Sequence, residues 1–253
     1  MARIAVLRSP TRQPVGESLD AVSIALAGAA LDPRQSYVDQ IQARLRDAVL
    51  AGRLTPGMAL SEATVALAMG VSRQPVREAL RLLAQEHLVD VFPQVGTVVA
   101  PVRVALIHEG RFIRRALEAA NLAELVQTIT PAQIAEIKAL LVAQRAAVAA
   151  GLPGEFFRLD EQMHARFFAF TGRERVWAMI ASVKVHLDRA RYLLLERVGK
   201  HAVRALREHQ ALVARIAAHD SAGVAMLINK HVDSVAEDVE VLRTYTPASY
   251  FVD

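Results

Sequence analysis

Cysteine is absent from the chain, which excludes disulfide bonds and thiolate chemistry. Aromatic residues are scarce, and no apolar run reaches the length of about 18 residues that a transmembrane helix requires. The apolar stretch 21–30 follows Glu17 and Asp20, which argues against a secretory leader, so a cytoplasmic location is expected. Alanine, leucine, valine and arginine are abundant instead, and this composition favours long packed helices over sheet.

The charge balance is mildly basic, with a formal net charge of +4 and a pI of about 9.7. This balance indicates polyanionic partners only weakly. Within residues 31–100 the charges of the arginines and carboxylates cancel. Any contact with nucleic acid there must therefore come from where individual arginines are placed, and not from an excess of positive charge. Most of the basic residues are arginine, whose planar guanidinium suits carboxylates, phosphates and guanine edges.

Hydrophobic periodicity divides the chain into four segments and predicts a mainly α fold. Residues 1–33 carry several prolines and little period, and they are interpreted as a variable N-terminal extension with at most one short helix. Residues 34–102 predict a winged helix-turn-helix domain. Residues 103–243 predict an all-α antiparallel helical bundle, because short loops join the helices. Residues 244–253 are left as a C-terminal tail.

Apolar residues recur at spacings of three or four over most of the chain, as is typical of amphipathic helices. The predicted helices lie at 37–52, 61–70, 73–86, 104–127, 131–149, 154–171, 174–196, 201–218 and 221–242. Two short β-rich segments, 88–92 and 97–100, flank a Pro-Gln-Val-Gly turn and predict the hairpin of the wing.

The stretch GVSRQPVREALRLLAQEHLV predicts the second helix of the helix-turn-helix. Ser72 is expected to cap this helix and could also contact a phosphate. Arg73, Gln74 and Arg77 lie on the first turns, opposite an apolar stripe. Arginine can bind guanine O6 and N7 through two hydrogen bonds, and glutamine can do the same with adenine. These three side chains are therefore predicted to contact bases.

The turn 94–97, with Gln94 and Gly96, is predicted to lie on the DNA backbone or in the minor groove. The alternative is an ordinary surface helix with solvated arginines, in which Arg81 pairs with Glu78. The order of helix, Pro-Gly turn, short helix, Val-Ser-Arg and hairpin favours DNA binding.

A second group of residues has the chemistry of a metal site. Asp160 and His164 lie four residues apart and share one helical face. His209 and His231 lie within two other predicted helices. One carboxylate and three neutral imidazoles would suit a divalent ion such as Zn²⁺ or Ni²⁺, with one or two positions open to water or an oxygen ligand. The alternative is four polar residues on solvated faces.

Both regions resemble a known family. GRLTPGMALSE, LAMGVSRQPVREALRLLAQEHLV and PQVGTVV are similar to the DNA-binding domain of GntR-type bacterial regulators, although Ala63 stands where arginine is common and His87 where glycine is usual. RRALE, D-x-x-x-H, EH and a final H within 104–240 resemble the FCD effector domain of the FadR subfamily. The resemblance implies operator contacts by the three predicted base-reading residues and metal coordination by the four predicted ligands.

The same resemblance implies a small carboxylate-bearing metabolite bound near the metal. An open coordination position and a buried guanidinium would hold such a carboxylate. Arg114, within RRALE, is the first candidate. Arg189 and Arg191 are further candidates, of which only one is expected to face inward because residues two apart diverge by about 200° on a helix.

The leading hypothesis is a metabolite-responsive transcriptional repressor. A homodimer would bind a palindromic operator in double-stranded DNA, and a small organic or sugar acid would be its effector. Neither enzymatic activity nor membrane association is expected. Two alternatives remain open: a regulator that senses the metal itself, and a helical metallohydrolase joined to a DNA-binding module. The hydrolase would need a general base, for which Glu118 and Glu161 are the nearby acids.

Overall fold

The computed structural model describes residues 15–28, 30–92, 96–197 and 200–253. These residues fall into two units. The N-terminal unit ends at Pro101, and the C-terminal unit comprises Val102–Asp253 together with Leu50–Gly52. The predicted mainly α fold is confirmed, because helices account for most of the described chain.

The N-terminal unit is a winged helix-turn-helix. Its elements are α1 (Val15–Ala25), α2 (Tyr37–Leu50), α3 (Glu62–Met69), α4 (Arg73–Gln85), β1 (Val89–Phe92) and β2 (Gly96–Val99). The two strands pair antiparallel, with Val89 opposite Val99. Ser61 begins α3 as its N-cap, since its side chain accepts a hydrogen bond from the Thr64 amide at 2.9 Å.

The second helix of the motif, α4, packs through the apolar stripe predicted for it. Val76, Leu80 and Leu83 are buried, at the three- and four-residue spacing of one helical face. Ser72 occupies the N-cap position, but its side chain makes no capping hydrogen bond, so that expectation is corrected. Beyond the helix, His87 adopts a left-handed backbone with φ of 57°. This conformation costs a non-glycine residue about 1 kcal/mol.

Within residues 1–33, predicted as an extension, the part that the structure describes contains one short helix, and this helix is packed. Helix α1 packs against α3 and buries Val22 and Leu26. The carbonyl of Ala25 accepts a hydrogen bond from Arg53 Nε at 3.3 Å. Prolines and glycines interrupt the sequence around this short helix, so hydrophobic periodicity alone does not reveal its apolar face.

The C-terminal unit is a bundle of long helices. They are α5 (Val104–Thr128), α6 (Pro131–Ala149), α7 (Pro153–Phe170), α8 (Glu174–Val183), α9 (Val185–Arg197), α10 (Lys200–Ala217) and α11 (Ser221–Tyr245). Helix α5 packs on α11, α6 packs on α7 and α10, and α10 packs on α11. The start of α6 is set by a capping box between Thr130 and Gln133. Among the described helices, none combines the length and apolar character needed to cross a membrane.

Two features of this unit differ from the prediction. The single helix expected at 174–196 is broken at Lys184, whose buried ammonium group lies 2.5 Å from Glu161 and 2.6 Å from Asp188. The tail forms β4 (Phe251–Val252), which pairs in parallel with β3 (Val102–Arg103). Strands of two residues leave no alternation in the sequence, so this pair could not be predicted.

Candidate metal centre and nucleic-acid interface

The interior of the C-terminal unit brings the four predicted metal ligands together. Asp160 and His164 lie on consecutive turns of α7, His209 lies on α10 and His231 on α11. All four residues are buried. One potential ligand atom from each residue lies within 4.8 Å of the other three. A single ion could therefore be reached by all four side chains.

The atoms that face one another in this cluster are suited to a cation. Within the described part of the chain, Asp160 Oδ1, His209 Nε2 and His231 Nε2 are buried without a hydrogen-bond partner. Such atoms are costly and call for an explanation. His209 Nε2 lies 3.1 Å from Asp160 Oδ1, outside hydrogen-bond geometry. Two ligands each about 2.1 Å from one ion would lie roughly 3 Å apart. The residues therefore fit a divalent metal ion.

Each imidazole is oriented by an oxygen atom at its other nitrogen, Nδ1. The pairs are His164 with Glu118 at 2.7 Å, His209 with Gln144 at 2.8 Å, and His231 with Glu208 at 2.8 Å. An acceptor at Nδ1 makes that nitrogen the donor and leaves the lone pair on Nε2. Such outer partners fix the tautomer and ring orientation of metal-binding histidines.

The electrostatics of the cluster favour an ionised Asp160 beside neutral imidazoles at His209 and His231. Burial acts to raise the pKa of Asp160, but Arg191, 2.5 Å away, and His209 outweigh it and hold that pKa well below its usual value. Burial lowers the pKa of His209 and of His231, so both rings are neutral near pH 7. Neutral rings keep the lone pairs that a metal ion needs.

Arg114, the first effector candidate, is completely buried beside the cluster. Its Nε donates to Glu118, and its Nη2 lies 3.0 Å from His164 Nε2. Its Nη1 has no hydrogen-bond partner within the described ranges. A buried guanidinium with an uncommitted donor is suited to an oxygen of a carboxylate.

The other two arginine candidates diverge as helical geometry requires. Arg191 faces the cluster and binds Asp160 Oδ2 at 2.5 Å. Arg189 is buried on another side of α9, where burial lowers its pKa to about 10 and the charge of Tyr250 partly offsets this. Arg191, and not Arg189, is therefore placed at the candidate metal centre.

In the N-terminal unit, α4 presents its predicted base-reading residues to solvent. Arg73, Gln74 and Arg77 are all exposed at its N-terminal end. Arg77 is held by Glu62 of α3 through two hydrogen bonds, 2.7 Å and 2.8 Å long, while its side chain stays 69% exposed. The guanidinium is therefore oriented in advance and remains accessible.

The structure places the other predicted DNA-contacting residues differently from one another. Ser72 is exposed at the start of α4. Gly96 begins β2 with φ of 123°, a conformation that favours glycine. Gln94 lies outside the described residues. Arg81 pairs with Glu78 at 2.6 Å, the contact expected of a solvated surface helix, and it is not among the predicted base-reading residues.

Two family models match the chain, namely "Bacterial regulatory proteins, gntR family" over residues 37–99 and "FCD domain" over residues 111–234. A relative from Streptomyces ambofaciens is named "Uncharacterized HTH-type transcriptional regulator in unstable DNA locus". It is 38% identical over 217 residues, which cover 84% of this chain and 89% of the relative. The chain belongs to the GntR family of bacterial transcriptional regulators.

Other similarities agree with this GntR-family assignment. "HTH-type transcriptional repressor RspR" of Escherichia coli is 31% identical over 213 residues, which cover 84% of this chain and 93% of the relative. The solved structure of "E. coli McbR/YncC" has a TM-score of 0.70 at 23% identity, and the match covers 84% of this chain and all of that one. That structural likeness supports the fold. The named relatives are regulators of transcription, not enzymes.

The residues that orient the histidines were missed by sequence reasoning. Glu118 was considered only as a general base for the hydrolase alternative, whereas it bonds both Arg114 and His164. Gln144 lies in none of the quoted motifs, and Glu208 enters only as the first residue of the EH motif. Glu118 follows Arg114 by four residues, and this spacing predicts an ion pair between them on one face of a helix. No sequence spacing relates Gln144 to His209, because their helices meet only in the folded bundle.

We expect Gln144→Leu to lower the affinity of the GntR regulator for divalent metal by about ten- to hundredfold. The substitution removes the oxygen that orients His209, while the four ligand side chains remain. Competition with a chelator of known affinity measures the effect. Gln144→Glu retains an acceptor oxygen and should lose less, and Gln162→Leu on the exposed side of α7 is the matched control. Equal affinities in Gln144→Leu and Gln162→Leu would contradict the orienting role.

Proposed function

We propose that this GntR-family regulator is a metabolite-responsive repressor that binds a palindromic operator as a homodimer. Its effector is a small organic or sugar acid bound near a divalent metal ion, with Zn²⁺ or Ni²⁺ as the ion. Residues 34–102 form the DNA-binding domain and residues 103–243 the effector domain. The observation that carries the proposal is the buried set of one carboxylate and three oriented imidazoles beside two guanidinium groups.

The ligand set supports binding of an acid as well as of the ion. Asp160, His164, His209 and His231 would hold the metal, which when bound supplies an electron-poor position for an oxygen atom of the effector. Arg114 contributes a donor without a partner among the described residues. Its positive charge beside the ligand atoms favours an anionic effector over a neutral one.

The DNA-binding half of the proposal depends on α4. Arg73, Gln74 and Arg77 would enter the major groove and contact base edges, while Ser72 and the wing residues Gln94 and Gly96 would contact the backbone or the minor groove. The exposed arginines on the first turns support this placement. Two copies related by a two-fold axis would read two half-sites, which makes the operator palindromic.

Regulation requires that the effector distinguish two arrangements of the dimer. A ligand shifts such an equilibrium only by the difference between its affinities for the two states. Because the candidate ligands come from three helices of the effector domain, α7, α10 and α11, binding an ion and an acid among them would change how those helices pack. The operator affinity would change by the same coupling free energy.

The test is operator binding by the full-length protein, using DNA selected from random duplexes. The metal-loaded and chelator-treated proteins are each titrated with DNA in the presence and absence of small organic acids. A change that requires both metal and acid supports the proposal. Control by metal alone would instead identify a metal sensor, and chemical turnover of an acid a hydrolase. Operator affinity that no acid alters at any metal loading would refute the effector half of the proposal.

A further inference from the structure

A groove of about 730 Å³ runs between the first half of α10 and the middle of α11. It is lined by more cations than carboxylates. The cations are Lys200, Arg204, Arg207 and Lys230, and the carboxylates are Glu208 and Asp233. A concave surface with an excess of one charge concentrates ions of the opposite sign. The groove is therefore suited to a small anion.

The two carboxylates of the groove are already engaged by other helices or by the metal cluster. Glu208 accepts from His231 at 2.8 Å. Asp233 lies 3.2 Å from Arg115 and 3.7 Å from Arg111, both on α5. Glu208 also lies 3.8 Å from Arg204, but the four cations of the groove still outnumber its two carboxylates.

The groove cations are, by contrast, mostly uncommitted. Lys200, Arg207 and Lys230 make no ion pair with any residue that the structure describes. Three side chains that carry positive charge into a concave surface are thus open to a ligand. Lysine and arginine both bind carboxylates, and arginine can do so through two parallel hydrogen bonds.

A second, much smaller cavity lies between this groove and the candidate metal centre. Its volume is about 30 Å³, and its lining includes Arg191 and His231 from the centre. Arg204 and Glu208 line both cavities. A volume of this size holds one or two water molecules but not an organic acid. An acid can therefore occupy the groove directly, but it can approach His231 only if the wall between the cavities moves.

Arg204 is the part of that wall best suited to move. Its Nη2 binds both carboxylate oxygens of Asp238, at 2.5 Å and 2.6 Å, and its Nε lies 3.8 Å from Glu208. Asp238 has a second neighbour, because His201 Nδ1 lies 3.2 Å away; burial lowers the pKa of His201, so this ring is neutral near pH 7. The Arg204 side chain is 38% exposed at the groove. Exchanging one carboxylate partner for another conserves the charge pairing of the guanidinium.

We propose that this groove binds a small carboxylic acid, and that Arg204 leaves Asp238 to bind the carboxylate of that acid. The movement joins the groove to the inner cavity and gives the acid a path toward His231. Identifying the bound acid with the effector rests on the proposed function. Binding in the groove does not, since it depends only on the groove cations.

The test is isothermal titration calorimetry on the metal-loaded, full-length protein. The probes are succinate and lactate, with inorganic phosphate as an anion without a carboxylate. We expect succinate or lactate to bind the parent protein and Arg204→Gln to weaken that binding by about tenfold or more, because a hydrogen-bonded charge pair is lost. Lys230→Gln should weaken it severalfold. The matched control is Arg158→Gln, an exposed arginine on α7 that pairs with Glu155.

Metal content is measured for each variant, because Arg204 also neighbours Glu208 and so acts indirectly on His231. Lys230 acts on Glu208 only through its charge and precedes His231 in the chain, so a loss in Lys230→Gln reports the groove itself only where the metal content is unchanged. The proposal is overturned if neither acid binds the parent, if Arg204→Gln and Lys230→Gln bind like Arg158→Gln, or if phosphate binds as tightly as the acids. Acid binding in the groove without any change in operator affinity would reject the proposed function and leave the groove proposal standing.

Discussion

His209→Ala should lower the affinity of the regulator for divalent metal by at least about a hundredfold, since loss of an outer partner alone costs about ten- to hundredfold. His209 Nε2 lies 3.1 Å from Asp160 Oδ1, and its ring is fixed by Gln144 on the other side. Removing the imidazole leaves three ligands and a cavity. Metal content after dialysis, and competition with a chelator, measure the loss. His108→Ala, at an exposed position on α5, is the control and should bind metal like the parent.

The chain has a single tryptophan, which provides a direct optical signal for the same experiment. Trp177 stacks on His164, with ring centroids 6.1 Å apart and an angle of 10° between the planes. Co²⁺ bound at the cluster should quench its fluorescence in the parent and in His108→Ala, with saturation at one ion per chain, but not in His209→Ala. Quenching of equal strength in all three proteins would place the ion elsewhere.

Metal binding should also appear as stability. A ligand that binds only the folded state stabilises it by about 4 kcal/mol when its concentration is a thousand times its Kd. We therefore expect Zn²⁺ to raise the thermal midpoint of the parent and of His108→Ala, and to raise that of His209→Ala much less. A metal-dependent rise of the same size in His209→Ala would contradict the assignment of this ligand.

Arg77→Ala should weaken operator binding by about ten- to hundredfold and reduce discrimination at one base pair, because a bidentate contact to guanine contributes about 1–3 kcal/mol. Arg77 is exposed, and Glu62 holds it through two hydrogen bonds. Binding is measured by fluorescence anisotropy at one fixed salt concentration, since phosphate contacts make affinity steeply salt-dependent. The control is Arg81→Ala, one turn further along α4, where the arginine pairs with Glu78.

The contribution of Glu62 can be separated from that of Arg77. Glu62→Gln removes a negative charge beside the proposed DNA contact and releases the guanidinium that it orients. Affinity for random DNA should therefore rise while the ratio of specific to random binding falls. Each variant is also titrated with operators that carry single base-pair changes. If the loss of affinity in Arg77→Ala equals that in Arg81→Ala for every such operator, Arg77 contacts phosphate and does not read a base.

Much of the fold could be predicted because apolar residues recur every three or four positions in most of the helices. The stripe of Val76, Leu80 and Leu83 in α4 is an example, since their spacing alone places them on one buried face. Asp160 and His164 could be paired for the same reason, since a spacing of four residues places both on one face of α7. The break at Lys184 was missed. In the structure its ammonium group binds Asp188, four residues later on α9, and also Glu161, which comes within reach only because α7 packs beside α9.

The sequence by itself determined most of the helices, the hairpin of the wing, and which side chains could bind a metal or a base, since periodicity and side-chain chemistry are properties of short segments. Only the tertiary structure decided that Asp160, His209 and His231 meet at one point, that Arg191 and not Arg189 faces them, and that Gln144 and Glu208 orient the imidazoles. The physical reason is that a ligand cluster is a set of distances between helices. Those distances follow from how the apolar faces pack together, and residue spacing along the chain does not encode them.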